Sequence, residues 1–309
     1  MPKNKLRGSD FLNLAPLTGE EIESLLQEAI HLKAEGVKGR KPLSGKVLGL
    51  IFEKPSTRTR VSFEVAIHRL GGQPLALTGI DLQLGRGETI EDTGRVLSRY
   101  LDGLIVRTFA QERLESLAEA VTVPVINALT NESHPCQALA DMMTILEYKG
   151  ALPGLKLAYV GDGNNVANSL MRAGTKLGMD VAIATPQGHE PSSAVVEECR
   201  VYASDSGGSL VTGSDPREIV TGADVVYTDV WVSMGMEGEA EAVEHFRDFQ
   251  VDADLVALAS EDVMVMHCLP AHRGQEISAE VLDGSHSAVW DQAENRLHAQ
   301  VALLEIIFG

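Results

Sequence analysis

The chain has 309 residues, enough for about two domains that each bury a core of their own. With 26 Lys and Arg against 44 Asp and Glu, its formal charge is −18, which argues against nucleic-acid or anionic-membrane binding through a broad basic face. Apolar residues make up 44% and charged residues 23%, the balance of a globular protein rather than a disordered or fibrous one.

Three scattered cysteines, Cys136, Cys199 and Cys268, are too few for a disulfide framework and point to a reducing compartment. The start of the chain has no apolar stretch of the secretory kind, and no apolar run approaches the ~18 residues of a membrane span. A cytoplasmic location with no membrane contact is expected.

Thr18-Gly19-Glu20-Glu21 forms a capping box before Ile22, Leu25, Leu26 and Ala29, so the first helix starts there and stops at Gly36. Short β-type runs then alternate with helical ones. Val47 to Phe52 reads as a strand, Val61 to Leu70 as a helix closed by Gly71-Gly72, and Gly103 to Arg107 as a strand. Gln111 to Ala120 reads as a helix, Pro124 to Asn127 as a strand, and a helix runs from about Pro135 to Tyr148.

Gly150 to Gly154, with Pro153, breaks the series. It resumes with Leu155 to Gly161, a helix from about Asn164, Val181 to Ala184, a helix near Ser192 to Tyr202, Val225 to Thr228 and Val263 to Met266. A terminal helix over Glu294 to Phe308 carries Leu297, Val301 and Leu304. This alternation predicts an α/β fold of two doubly wound parallel-sheet domains.

Glu53-Lys54-Pro55-Ser56-Thr57-Arg58-Thr59-Arg60 lies between a strand and a helix. Hydroxyls and guanidinium groups at a helix N-terminus suit an anion, because free N–H groups and the helix dipole point the same way. The run lacks the glycines of a P-loop. Arg107 ends a strand and His134-Pro135-Cys136-Gln137 opens a helix; ligands of parallel sheets bind beyond the strand carboxyl ends, so all three segments converge on one crevice.

Gly161-Asp162-Gly163-Asn164-Asn165 invites a dinucleotide reading, but Val166 occupies the place of the third glycine. A tight turn that presents Asn165 to a ligand fits better. Asp229 to Gly235 offers a carboxylate and a hydroxyl, with either an ordinary loop or a ligand site open. His267-Cys268-Leu269-Pro270 contains a thiolate candidate, and its surroundings lack the ligand spacing of structural zinc. Leu269-Pro270 leaves cis and trans open, trans being the default.

Read together, Ser56 to Arg60, His134 to Gln137, Asp229 to Gly235 (DVWVSMG) and His267 to Pro270 (HCLP) resemble the carbamoyltransferases over nearly the full length, the last two the ornithine branch. The resemblance implies a carbamoyl-phosphate domain over 1–148, joined by a returning C-terminal helix 292–309, and an ornithine domain over 149–291. It places carbamoyl phosphate on Ser56, Thr57, Arg58 and Thr59, with Arg107, His134, Gln137 and Arg296 around the carbamoyl end. Gln83 matches a residue that a homotrimer inserts into a neighbour's site.

Ornithine then falls to Asn165, Asp229, Ser233, Met234, Cys268 and Leu269. Arg107, His134 and Cys268 carry the chemistry, and no metal or cofactor is implied. The implied reaction yields citrulline, a step of arginine biosynthesis. An aspartate-specific relative is disfavoured because its shared site uses a loop lysine, and no Lys lies between Lys54 and Lys149. Putrescine or acylated ornithine as acceptor, a nucleotide-dependent oxidoreductase and a silent regulatory partner are the other readings.

Overall fold

The computed structural model describes residues 6–78, 87–231 and 244–309. They form two compact units, one running to Met143 and adding Arg296–Gly309, the other comprising Thr144–Asn295.

The first unit opens with α1 (Gly19–Glu35). The Thr18 hydroxyl accepts from the Glu21 N–H at 3.2 Å, and the Glu21 carboxylate accepts from the Thr18 N–H at 2.9 Å. Two orphan donors are thereby satisfied, and Ile22, Leu25, Leu26, Ala29 and Leu32 form the buried face. There follow β1 (Val47–Phe52), α2 (Thr57–Arg69), β2 (Gln73–Thr78), α3 (Ile90–Leu97), β3 (Gly103–Arg107), α4 (Gln111–Ala120), β4 (Val125–Leu129) and α5 (Pro135–Lys149).

The strands pair in parallel in the order β2-β1-β3-β4. β3 is buried along its whole length and β1 along all but Val47, as expected of strands covered on both faces. The chain leaves β1 to one side for β2 and later passes to the other side for β3. The carboxyl ends of β1 and β3 are therefore a topological switch point.

The second unit contains β5 (Lys156–Val160), α6 (Asn165–Lys176), β6 (Asp180–Ala184), α7 (Ser193–Ser206), β7 (Ser209–Gly213), α8 (Pro216–Val220), β8 (Val225–Thr228) and β9 (Met264–His267). Its parallel sheet has the order β7-β6-β5-β8-β9, with a switch point between β5 and β8. The last helix spans Val289–Phe308, and the division between units falls within it and within α5.

β2, α3, β7 and the short α8 add to the elements expected from sequence. β2 is an edge strand carrying Pro74, and β7 is an edge strand of mostly exposed residues, so neither shows a buried apolar run. α3 contains Gly94, which breaks helix propensity but admits a neighbour: a Cβ there would sit 2.4 Å from the Leu117 side chain. The last helix starts at Val289 rather than Glu294, because its first turns bury the polar Gln292 and Asn295 instead of an apolar stripe.

The glycines of the β5–α6 turn serve backbone packing. A Cβ on Gly163 would meet the Pro191 nitrogen at 2.3 Å, and the Gly163 N–H donates to the His189 carbonyl at 2.8 Å. The Leu269-Pro270 peptide is cis. No helix among the described residues is long and apolar enough to cross a membrane.

Candidate active site

In the first unit, Ser56 caps α2, its hydroxyl accepting from the Thr59 N–H at 3.4 Å. That cap leaves the first-turn amides of Thr57 and Arg58 at the switch point, where an anion is favoured by the helix dipole. Arg296, from the last helix, donates to the Thr59 hydroxyl at 2.5 Å and to the Gln137 side-chain oxygen. Gln137 in turn donates to Asp141 at 2.8 Å, so its amide holds Arg296 in place. Arg107, His134, Gln137 and Arg296 are all buried.

His134 is the electrostatic focus. Burial, followed by the positive charges of Arg296, Arg107 and Arg58, holds its pKa well below 6.5. The imidazole is therefore neutral near pH 7, able to donate one hydrogen bond without adding a fourth positive charge. Arg58 Nε is a buried donor without a hydrogen-bond partner among the described residues. Three guanidinium groups gathered near one neutral imidazole are expensive to keep desolvated unless an anion joins them.

The neutral state has a consequence for stability. Unfolding releases His134 to an ordinary pKa of about 6.5, so below that pH the unfolded chain binds more protons and stability falls as pH drops. The loss reaches up to about 1.4 kcal/mol per pH unit until the folded-state pKa is reached. In His134→Gln, denaturant melts between about pH 6.5 and 5.5 should show a shallower acid slope. An unchanged slope would contradict a neutral His134.

The second arginine of the motif plays a different part. Arg60 pairs with Glu64 at 2.8 Å one turn along α2, with both side chains partly in solvent. The positive charge on the site thus comes from Arg58, Arg107 and Arg296, not from a pair within Ser56 to Arg60. Arg107 is buried at the end of β3 and so is not part of a surface ion pair.

Two neighbours escaped the sequence reading. Glu53 accepts from Arg113 at 2.9 and 3.2 Å and from the Thr108 hydroxyl, while its N–H donates to the Arg107 carbonyl at 2.9 Å. It ties the ends of β1 and β3 to α4. Lys54 donates to Asn131 at 2.5 Å and lies 4.4 Å from the Phe109 ring centroid. Burial, with the charge of Arg107 second, lowers its pKa. Only their place beside the Ser56 motif could have signalled them.

In the second unit, Asp229 follows β8 and Cys268 follows the adjacent β9. The Cys268 thiol donates to an Asp229 oxygen at 2.9 Å, and the Asn164 amide donates to the other at 2.9 Å. Asn164 also caps α6, accepting from the Val166 and Ala167 N–H groups at 2.9 and 3.2 Å. Asn165 is therefore the first helical residue, half-buried beside this cap. Trp231 is core, stacked on Phe246 at 5.7 Å.

Asp229, His267 and Cys268 lie close enough to suggest a metal cluster. His267 has both ring nitrogens engaged, however: Nδ1 accepts from the Leu269 N–H at 2.8 Å, and Nε2 faces Glu276 at 3.2 Å. With no free lone pair on His267, the arrangement is a thiol–carboxylate pair. Gln83, Ser233 and Met234 lie outside the described residues.

The three thiols differ sharply. Burial pushes Cys136 and Cys199 up to about 12, whereas Cys268 is partly exposed. Iodoacetamide on the native protein at pH 8 should label Cys268 at least tenfold faster than either of the others, as read by peptide mass spectrometry. Comparable labelling of Cys136 would contradict the burial of that thiol.

An arginine-lined oxyanion site at one switch point and a thiol–carboxylate pair at another define a group-transfer enzyme of the two-unit α/β class. Models of the aspartate/ornithine carbamoyltransferase carbamoyl-P binding domain and Asp/Orn binding domain match residues 9–147 and 153–307. The chain belongs to the aspartate/ornithine carbamoyltransferase family.

An ornithine carbamoyltransferase of Anoxybacillus flavithermus is 57% identical over 303 residues, covering 97% of this chain and 96% of that one. An anabolic ornithine carbamoyltransferase of Pyrococcus furiosus is 56% identical over 307 residues, 98% of each. The solved ornithine carbamoyltransferase of P. furiosus superposes with a TM-score of 0.95, covering 98% of both chains at 56% identity. That of Gloeobacter violaceus gives 0.89 at 47% identity, covering 98% of this chain and 99% of that one.

Proposed function

We propose that this chain transfers the carbamoyl group of carbamoyl phosphate to the side-chain amine of L-ornithine, giving L-citrulline and phosphate. The observation that carries this reading is the presence in one chain of the Arg58, Arg107, Arg296 and His134 cluster together with the Cys268–Asp229 pair. The first suits a phosphorylated carbonyl and the second suits an amine. The naming of the Pyrococcus relative as anabolic supports citrulline formation and a place in arginine synthesis.

The Ser56 cap, the Thr57 and Arg58 amides, the Thr59 hydroxyl and the Arg58 guanidinium hold the phosphate. Arg107, Arg296 and neutral His134 surround the carbamoyl oxygen, with Gln137 fixing Arg296. Ornithine is held by Asn165, Asp229, Ser233, Met234 and the Cys268-Leu269 turn. Its amine, with a pKa of about 10.4 as in lysine, costs about 4.6 kcal/mol to deprotonate at pH 7. Cys268 and Asp229 lower that cost by orienting the amine and taking up its proton.

The neutral amine then forms a C–N bond to the carbamoyl carbon. Negative charge grows on the carbamoyl oxygen, where Arg107 and His134 stabilise it; the C–O bond then breaks, the charge passes to the departing phosphate beside Arg58, and that phosphate takes up the second proton of the amine. A homotrimer sharing Gln83 between subunits completes the proposal, on the strength of the family resemblance. A cytoplasmic location is part of the proposal, because the role given to Cys268 needs a reduced thiol and hence a reducing compartment.

The test is stoichiometry. Purified protein given carbamoyl phosphate and ornithine should release phosphate and a ureido product one for one. Phosphate released without the ureido product would overturn the transferase reading.

A further inference from the structure

Nine residues after His267 lies a carboxylate that neither the motif nor the reaction calls for. Glu276 is completely buried, as is His267. One Glu276 oxygen stands 3.2 Å from His267 Nε2 and 2.5 Å from the His272 backbone nitrogen; the other stands 3.7 Å from His272 Nδ1. Burial pushes the Glu276 carboxyl up, but the hydrogen bonds from His267 and the His272 N–H outweigh it and leave the pKa below the usual value. Glu276 is thus ionised and acts only as an acceptor.

An acceptor at Nε2 fixes where the His267 proton sits. With the proton on Nε2, Nδ1 keeps its lone pair and accepts the Leu269 N–H at 2.8 Å. Leu269 has φ +58, a left-handed conformation that a γ-branched residue holds only where neighbours impose it. The same stretch is held from the other side: the His267 N–H donates to the Gln292 side chain at 2.9 Å, and Gln292 donates to the Tyr227 hydroxyl at 3.0 Å. Between these two anchors lies Cys268, with its thiol on Asp229 at 2.9 Å.

We propose that Glu276 is a positioning residue for the acceptor amine: by fixing the Nε2-protonated tautomer of His267, it holds the Leu269 amide and so sets the direction of the Cys268 thiol toward Asp229. The carboxylate touches neither substrate, and its influence reaches the amine through His267, Leu269 and Cys268 in turn. The role of Cys268 in this chain of contacts rests on the function proposed above; the contacts themselves do not.

The test compares Glu276→Leu, which removes the acceptor, with Glu276→Gln, which retains a carbonyl oxygen for Nε2–H. Three readouts apply to each: the His267 ring nitrogen shifts in protein labelled with ¹⁵N-histidine, the Cys268 alkylation rate with iodoacetamide, and separate constants for ornithine and carbamoyl phosphate. In Glu276→Leu the Nε2-protonated signature is expected to disappear, and Cys268 alkylation to change at least tenfold. kcat/KM for ornithine should fall about a hundredfold while the carbamoyl phosphate Kd stays within about twofold. Glu276→Gln should recover the tautomer and lie within about fivefold of the parent in all three.

Unchanged tautomer and thiol rate in Glu276→Leu would overturn the proposal. So would an equal loss in both variants, or a fall in carbamoyl phosphate affinity matching that for ornithine, since a general loss of folding produces either. If the parent protein carbamoylates no amine, the proposed function fails on that result alone, while the nitrogen shifts and alkylation rates still decide the role of Glu276.

Discussion

Arg58→Ala is expected to lower kcat/KM for carbamoyl phosphate by about a thousandfold or more, with unfolding transitions close to those of the parent. Arg58 is one of three guanidinium groups whose charge reaches buried His134, and its Nε is a buried donor with no protein acceptor among the described residues. Charge-assisted, bidentate contacts to phosphate are among the stronger polar interactions, and under the proposed function the Arg58 contact grows as negative charge passes to the departing phosphate. The fold should tolerate the change, because the cap of α2 comes from Ser56 and not from Arg58.

Arg60→Ala is the informative partner variant. Its guanidinium is committed to Glu64 on a partly exposed helix face, a pair worth under about 1 kcal/mol. Turnover within about threefold of the parent is expected. Equal damage from the two substitutions would show that the motif acts through bulk positive charge, contrary to the geometry around His134.

Asp229→Asn is expected to lower kcat by about a hundredfold to a thousandfold and leave carbamoyl phosphate affinity within about twofold. Asp229 accepts from both the Cys268 thiol and the Asn164 amide. An asparagine can present one oxygen but must turn an NH2 group toward the other donor, so one contact becomes donor against donor. Under the proposed function the site then loses its proton acceptor for the amine, and the activity should climb further with pH, because the substrate must reach its neutral form in solution. A kcat within threefold of the parent across pH 7 to 9, read by initial rates, would remove Asp229 from the proton path.

Much of this arrangement is legible from sequence because the strands that carry it are buried on both faces. β1, β3, β5 and β8 are short apolar runs bounded by turn signals, and each ends at a residue or motif that the site uses. β2 and β7 are not legible in this way: an edge strand with Pro74, or one whose residues are mostly exposed, has no buried face to announce it. The first turn of the last helix is hidden for a related reason, since Gln292 and Asn295 are buried for their hydrogen bonds and break the apolar period.

The site residues divide along the same line. Ser56, Arg58, Arg107, His134 and Cys268 stand at strand ends or helix starts, where residue type and position together speak for chemistry. Glu53, Lys54 and Glu276 act by bracing others, and a bracing carboxylate looks like any other acidic residue until its partners are known. Gln137, which the resemblance places at the carbamoyl end, is also a bracing residue, its oxygen accepting from Arg296 and one of its two N–H groups donating to Asp141.

The central claim is that the anion site and the thiol–carboxylate pair serve one reaction with one acceptor. The most direct measurement is product formation by purified protein supplied with carbamoyl phosphate and, separately, ornithine, aspartate, putrescine or N-acetylornithine, with phosphate and ureido product quantified independently. Citrulline and phosphate in equal amounts with ornithine, and no ureido product above background with the other three, is the predicted result. Carbamoylation of another amine in preference to ornithine, or phosphate release that no acceptor changes, would contradict it.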